Sequence, residues 1–303
     1  MDFYGIYTPV ITPHHDDFSI DEQGFAAVIE HLISDGVHGI IIAGTTGEYY
    51  AQTMSERERM LALGTEIINK RVAVIGGTGA LRTEDSIHLA KTAKAAGVDG
   101  ILVATPPYSV PTGRENALHA LAVERSVDLP VMLYNYPGRM AAEMDEEFLD
   151  RVGQSPNFKA IKESSGDINR VHMLARRYPH IGLSCGMDDQ ALEFFAWGAR
   201  SWVCAASNFA AKAHIALWQS CVVEGDFAKG RRIMSAMLPL MQVLEQGGKF
   251  IQAVKYGVAR SGLPAGIPRL PLKPLNKDEK RDLDQVIDRM NATIDTILSE
   301  GQK

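Results

Sequence analysis

The stretch AAGVDGILV, residues 95–103, contains a change from helix to strand that recurs along the chain. Gly97 is the residue type that most often ends a helix, because it adopts the left-handed conformation without strain. The apolar run after it, 98–103, is typical of a strand that is buried on both faces. The pattern Gly-Val-x-Gly also occurs at Gly36, and a degenerate copy begins at Gly198. We interpret these as copies of one helix-to-strand joint.

Eight short apolar runs alternate with eight amphipathic segments. The runs predict strands at 5–11, 37–43, 72–75, 98–103, 129–134, 158–162, 181–184 and 201–205. The amphipathic segments predict helices at 21–34, 55–69, 83–96, 114–126, 145–153, 167–177, 188–197 and 210–223. Ser55 and Glu58 have the spacing of a capping box at the start of the second helix. Strict alternation favours a closed parallel (β/α)8 barrel, the TIM barrel, over an open doubly wound sheet.

The chain beyond the eighth unit has a different pattern. It predicts three further helices, at 227–245, 250–261 and 277–298, with no strand run between them. We therefore expect a catalytic barrel domain over 1–224 and a C-terminal helical region over 225–303 that packs on the barrel.

Composition excludes several classes of protein. The 303 residues are 46% hydrophobic and 22% charged, which excludes disorder, collagen and a coiled coil. The formal charge of −6, with scattered Lys and Arg, argues against a nucleic-acid partner. No apolar run approaches the roughly 18 residues of a membrane span, and the N-terminus lacks the features of a signal peptide. Three widely spaced cysteines fit neither a disulfide framework nor a metal site, so we expect a cytoplasmic protein.

The carboxyl ends of the strands are where a TIM barrel carries its active site. The second strand leads into GTTGE, residues 44–48, in which Thr45 and Thr46 could bind a small anion such as a carboxylate. A turn whose hydroxyls satisfy local backbone groups remains an equal alternative. After the fifth strand, the Tyr134 phenol could shuttle protons and Arg139 could hold a carboxylate, although each residue alone is more often structural.

Lys162 is the most specific candidate, because a lysine that emerges from an apolar strand is costly to bury. Its chemical use would be as an amine nucleophile, for which its pKa would have to fall by about 3 from ~10.4. An ion pair with Glu163 is a poor alternative, since neighbours on a strand point to opposite faces. We favour the functional interpretation.

Five motifs together give the chain a resemblance to a known family. In order, they are GTTGE at 44–48, TPPY at 105–108, YNYPGR at 134–139, IKE at 161–163 and RLPLKPL at 269–275. The sequence resembles the dihydrodipicolinate synthase / N-acetylneuraminate lyase family across nearly its whole length. The resemblance implies a class I, Schiff-base lyase or aldolase that acts on pyruvate or a related 2-oxo acid, with no metal and no cofactor beyond the covalent imine.

The resemblance also implies roles for individual residues. Lys162 matches the imine-forming lysine, Tyr134 the tyrosine that relays protons, and Thr45 and Thr46 the pair that holds the 2-oxo acid carboxylate. Tyr108 matches a tyrosine that enters the neighbouring subunit's site and completes a proton relay through Thr45.

Further implied roles concern the binding of substrate and the assembly. Arg139 matches the arginine that holds the second substrate's carboxylate, and Gly186 and Val203 are expected to line the substrate site. The family implies a small-molecule aldehyde co-substrate and a homotetramer built as a dimer of dimers.

Departures from the synthase pattern leave the second substrate open. They include Tyr49 and Tyr50 after the GTTGE motif, Met187, and Cys204 on the eighth strand. The leading interpretation is a 4-hydroxy-tetrahydrodipicolinate synthase-like condensation of pyruvate with aspartate semialdehyde. The alternative is a catabolic aldolase or dehydratase that acts on a 2-keto-3-deoxy sugar acid.

Other functions receive less support from the sequence. The residues of a lysine-inhibitor site are replaced by Leu81, Asp85 and Pro107, so we predict that free lysine does not inhibit. A dinucleotide fingerprint at 77–80 lacks its third glycine. The one adjacent histidine pair, His14 and His15, lies in a polar stretch and is expected to be solvated rather than to bind a metal. A non-catalytic 2-oxo acid sensor would not need Lys162 and Tyr134 together.

Overall fold

The computed structural model describes residues 1–300 and shows eight parallel strands closed into a barrel in chain order. The strands are β1 (Gly5–Pro9), β2 (Gly39–Ile42), β3 (Ala73–Gly77), β4 (Gly100–Ala104), β5 (Val131–Asn135), β6 (Phe158–Glu163), β7 (Gly182–Cys185) and β8 (Ser201–Val203). Gly5 of β1 pairs with Ser201 of β8, which closes the barrel. The predicted TIM barrel is confirmed.

Helices alternate with the strands and then continue beyond them. They are α1 (Glu22–Ser34), α2 (Met54–Ile68), α3 (Thr83–Ala96), α4 (Gly113–Arg125), α5 (Pro137–Met140), α6 (Glu146–Val152), α7 (Ile168–Arg177), α8 (Ala191–Ala196), α9 (Ser207–Trp218), α10 (Phe227–Gln246), α11 (Phe250–Arg260) and α12 (Lys277–Glu300). The short helix α5 was not predicted. None of the helices within residues 1–300 is long and apolar enough to cross a membrane.

The start of α2 differs from the prediction. Thr53, not Ser55, caps this helix: its hydroxyl accepts the Glu56 N–H at 3.3 Å, and the Glu56 carboxylate accepts the Thr53 N–H at 2.8 Å. Two overlapping patterns of the form S/T-x-x-E compete here, and the earlier one is used because Arg269 also binds Glu56 from outside the helix. The predicted end of α3 is confirmed, since Gly97 adopts a φ of 91°.

The apolar core has two layers. The larger layer lies between the barrel and the surrounding helices, and the smaller one fills the barrel interior, where Ile41, Ile75, Leu102 and Met132 pack on one another. Tyr134 belongs to the inner layer. Because the strands are parallel, their carboxyl ends all meet at the same end of the barrel. The residues that follow the strands cover the inner layer at this end, and they form the site.

The three helices after residue 224 lie against the barrel rather than apart from it. Helix α10 contacts α8 and α9, α11 contacts α9, and α12 packs along α10. Met237, Leu240 and Met241 of α10 are fully buried in the resulting core. The carboxyl end of α10 thereby reaches the barrel mouth.

Candidate active site

A small enclosed cavity of about 40 Å³ lies at the carboxyl ends of the strands. Seven of the eight predicted site residues line it: Thr45, Thr46, Tyr134, Arg139, Lys162, Gly186 and Val203. They come from distant parts of the chain and meet because the barrel closes. The eighth, Tyr108, lies outside the cavity of its own chain.

Lys162 is the last residue but one of β6 and points into the barrel. Its side chain is 9% exposed, and its Nζ lies 4.0 Å from the centre of the Tyr134 ring. Burial lowers the pKa of Lys162 to about 8, although the Asp188 carboxylate opposes this shift. A substantial neutral fraction of this amine is therefore available near neutral pH.

Glu163, the neighbour of Lys162, faces away from the cavity. Its carboxylate accepts hydrogen bonds from Asn135 Nδ2 at 2.8 Å and from Arg170 Nε at 3.0 Å. The alternation of side chains along β6 thus separates it from the Lys162 amine, as expected from the sequence.

Tyr134 is the last residue but one of β5 and pairs with Lys162 across the sheet. Burial raises the pKa of its phenol to about 12, and the side chain of Thr45 favours the ionised form and opposes that rise. The phenol is therefore protonated at neutral pH and can donate a proton within the cavity.

Thr45 and Thr46 lie in a single 3₁₀ turn, Thr45–Gly47, that follows β2. The turn is closed by Glu48, which adopts a left-handed φ of 59° and donates its N–H to the Thr45 carbonyl at 3.0 Å. Its last carbonyl, on Gly47, accepts from Thr12 Oγ1 at 2.9 Å and from Gln52 Nε2 at 3.0 Å. Groups outside the turn thus satisfy it, and both threonines line the cavity.

Arg139 lies on the short helix α5 at the rim of the cavity. Its guanidinium lies over two aromatic rings, 5.4 Å from the centre of Tyr136 and 5.9 Å from the centre of Phe250. Stacking of this kind fixes the plane of the guanidinium, which forms no salt bridge within residues 1–300 and can bind a carboxylate through its edge.

Two carboxyl groups of the cavity were missed in the sequence. Asp188 follows β7, is buried, and accepts a hydrogen bond from Trp202 Nε1 at 2.8 Å. Burial raises its pKa to about 6. Its position three residues after the end of β7 was a usable signal. Glu245, near the end of α10, has its pKa raised to about 8, by burial and by the charge of Asp188, and it had no local signal.

Tyr108 and His14 both lie outside the cavity lining. Tyr108 is 92% exposed in the loop after β4, with a left-handed φ of 73°. The predicted solvation of the histidine pair holds for His15, which is exposed, and was wrong for His14, which is buried. Its Nδ1 lies 3.2 Å from the Ile267 carbonyl and 3.1 Å from Lys255 Nζ, since the segment around Ile267 covers it. Burial and the charge of Lys255 lower the pKa of His14 to about 4.

Comparison with known proteins identifies the family. The model of the dihydrodipicolinate synthetase family matches residues 2–290. The chain belongs to this family. As a dihydrodipicolinate synthetase family member it is a lyase, and the resemblance read from its five motifs is confirmed.

Relatives within the dihydrodipicolinate synthetase family match over the whole length. The 4-hydroxy-tetrahydrodipicolinate synthase of Bacillus velezensis is 34% identical over 291 residues, which are 96% of this chain and 100% of that protein. The structure of the synthase from Methylacidiphilum fumariolicum superposes with a TM-score of 0.91 at 30% identity and covers 98% and 99% of the two chains. The Acinetobacter baumannii synthase, solved with pyruvate, gives 0.88 at 28% identity and covers 95% and 99%.

One departure from the synthase pattern has a clear packing role in this family member. The Tyr49 ring lies under the guanidinium of Arg57, 4.9 Å from its centre. Tyr49 also lines a second cavity, of about 10 Å³, behind Thr45 and Tyr134. The large side chain therefore fills space next to the threonine turn.

Proposed function

We propose that the chain condenses pyruvate with a small aldehyde through an imine formed on Lys162. The observation that carries this proposal is a buried amine, with a pKa of about 8, that lies against the Tyr134 phenol inside the barrel mouth. At pH 7 about a tenth of such an amine is neutral, against less than a thousandth for an exposed lysine.

The steps use groups that line the cavity. The neutral Nζ of Lys162 adds to the keto carbon of pyruvate, and the keto oxygen takes a proton to give a carbinolamine. Loss of that hydroxyl as water, with a proton from Tyr134, leaves a protonated imine. Loss of a methyl proton then gives an enamine, whose terminal carbon attacks the aldehyde carbon while the aldehyde oxygen takes a proton. Water finally adds to the imine carbon and frees the lysine.

Thr45 and Thr46 hold the pyruvate carboxylate in this scheme. Their turn lies at the cavity wall beside Tyr134, so a carboxylate there would direct the keto carbon towards Lys162. A proton passes from Tyr134 through Thr45 to Tyr108 of a neighbouring subunit, in a homotetramer that needs no cofactor beyond the imine. Gly186 and Val203 complete the wall around the pyruvate.

Aspartate semialdehyde is the proposed aldehyde. The names of the relatives and the presence of Arg139 at the cavity rim support it, because a guanidinium binds a carboxylate with two parallel hydrogen bonds. Purified protein offered pyruvate with aspartate semialdehyde, and separately a 2-keto-3-deoxy sugar acid, separates this reaction from sugar-acid cleavage.

Borohydride reduction tests the imine directly. Protein treated with pyruvate and borohydride should gain one reduced pyruvate, and peptide mass mapping should find it on Lys162. The Lys162→Arg variant should gain none and should lose at least about 10³-fold in kcat. An adduct on another residue, or full turnover by Lys162→Arg, would contradict the proposal.

A further inference from the structure

Two cavities meet at the mouth of the barrel. The inner one holds Lys162, and an outer one of about 450 Å³ lies between α10, α11 and the segment near Pro271. Four residues line both cavities: Tyr136, Arg139, Glu245 and Phe250. An aldehyde that enters from the outer cavity must pass these four side chains, and its distal end remains beside them when its carbonyl reaches Lys162.

Two of the four residues, Arg139 and Glu245, are a guanidinium and a carboxyl group that form no salt bridge with each other. Two other arginines with little exposure are paired with carboxylates, Arg269 with Glu56 and Arg170 with Glu163. The salt bridges formed within residues 1–300 include neither Arg139 nor Glu245, and no hydrogen bond of the Glu245 carboxyl is found there. One cationic and one acidic group therefore face the same opening, and both are available to a ligand.

The electrostatic surroundings of Glu245 favour a cation. Burial, Asp188 and Asp189 all raise the pKa of Glu245, whereas Lys162 and Arg139 lower it. The net rise, to about 8, means that existing positive charge does not compensate the carboxylate. An additional cation beside it would stabilise the ionised form.

We infer that Glu245 is a specificity-determining residue that binds the ammonium group of an aldehyde co-substrate whose carboxylate binds Arg139. The inference rests on the proposed function, because it concerns the second substrate of that reaction. The ligand class is an aldehyde that carries an α-ammonium carboxylate, whose carboxylate suits the Arg139 guanidinium and whose ammonium group would stabilise the ionised form of Glu245. A neutral hydroxylated chain would leave the Arg139 charge unmatched.

The test compares two aldehydes that differ in the ammonium group. Pyruvate is supplied with aspartate semialdehyde or with succinic semialdehyde, which keeps the carboxylate and lacks the amine. The wild-type protein should prefer the amino aldehyde in kcat/KM, and Glu245→Gln should lower that preference about tenfold or more, chiefly through KM. Glu245→Asp, which keeps the carboxyl group on a shorter side chain, should retain part of the preference for the amino aldehyde.

A matched control is available in Asp189. It adds to the negative potential at Glu245 but lines neither cavity, so Asp189→Asn should leave the preference within about twofold of wild type. An unchanged preference in both Glu245 variants, or no preference in the wild type, would overturn the inference.

If the proposed function itself is wrong, the experiment gives a different result from a failure of the Glu245 inference. In that case pyruvate leaves no borohydride adduct and neither aldehyde is consumed. The adduct on Glu245→Gln also reports that this variant is folded and binds pyruvate.

Discussion

At the scale of single residues, the protonation of the Lys162 amine depends on two opposing effects. Burial in the barrel lowers its pKa, while the carboxyl groups of Asp188 and Glu245 raise it. The sequence predicted the first effect, because a lysine in an apolar strand must lose water. It did not predict the second, since the two carboxyl groups come from other parts of the chain.

A pH profile follows from this balance. Only the neutral amine attacks, so kcat/KM for pyruvate should rise with pH, close to tenfold per unit, and level off near the pKa of about 8. Asp188→Asn removes an anion that stabilises the ammonium form of Lys162, so the midpoint of the pH profile of this variant should shift to lower pH. Steady-state rates from pH 6 to 9.5 check both statements. A profile that is flat over this range, or an upward shift in the variant, would contradict them.

At the scale of elements, the threonine turn is held by the C-terminal part of the chain. Lys255 of α11 lies 2.7 Å from Glu48, and it donates to the carbonyls of Thr12 at 2.8 Å and Ile267 at 2.7 Å. Glu48 also accepts the Arg269 N–H at 2.9 Å. Because Glu48 closes the turn that carries Thr45, this buried ion pair connects α11 to Thr45 and Thr46.

Breaking the pair should be costly for both stability and binding. Lys255→Met leaves the Glu48 charge buried without its partner, which should reduce the free energy of unfolding by about 3–5 kcal/mol. The KM for pyruvate should rise, since the turn loses its anchor. Urea denaturation and steady-state kinetics measure the two effects.

An exposed ion pair supplies the control for this variant. Lys212 and Asp295 lie 2.6 Å apart with side chains 67% and 63% exposed, so Lys212→Met should cost less than about 1 kcal/mol. Equal losses of unfolding free energy in the Lys212 and Lys255 variants would show that burial does not explain the contribution of the Lys255–Glu48 pair.

The observed bounds of the strands and helices can be compared with those predicted from local sequence patterns. All eight strands were predicted to within a few residues, because continuous apolar runs bounded by glycine are specific to buried parallel strands. Helix α5 was missed since four residues, Pro137–Met140, are too few to show a period. The capping residue of α2 was predicted two positions too late, because the sequence holds two equivalent local patterns. A contact from Arg269, more than 200 positions away, favours the earlier one.

At the scale of the whole molecule, the site divides into a predictable and an unpredictable half. Lys162, Tyr134 and the two threonines follow strands, and barrel closure alone brings them together. Glu245 and Phe250 belong to α10 and α11, and their place at the opening depends on how these helices pack against the barrel. Arg139 and the residues that follow the strands were therefore predicted from the sequence, whereas Glu245 and Phe250 were not.

Tyr108 gives the last test, since its proposed role requires a second subunit. It is exposed in its own chain, and its left-handed backbone holds the phenol outside the local cavity. If it acts in the neighbouring site, two impaired chains should complement each other. In a hybrid of Tyr108→Phe and Lys162→Arg chains, the site with an intact lysine receives an intact Tyr108. Random mixing within dimers should then restore about a quarter of wild-type turnover.

The parent variants set the baseline for this complementation. Each is assayed alone and after the same unfolding and refolding that mixes the chains. A mixture that reaches only the average of its parents would mean that Tyr108 acts within its own chain or not at all. Recovery above that average requires one site to be built from two chains, because neither parent holds both Lys162 and Tyr108.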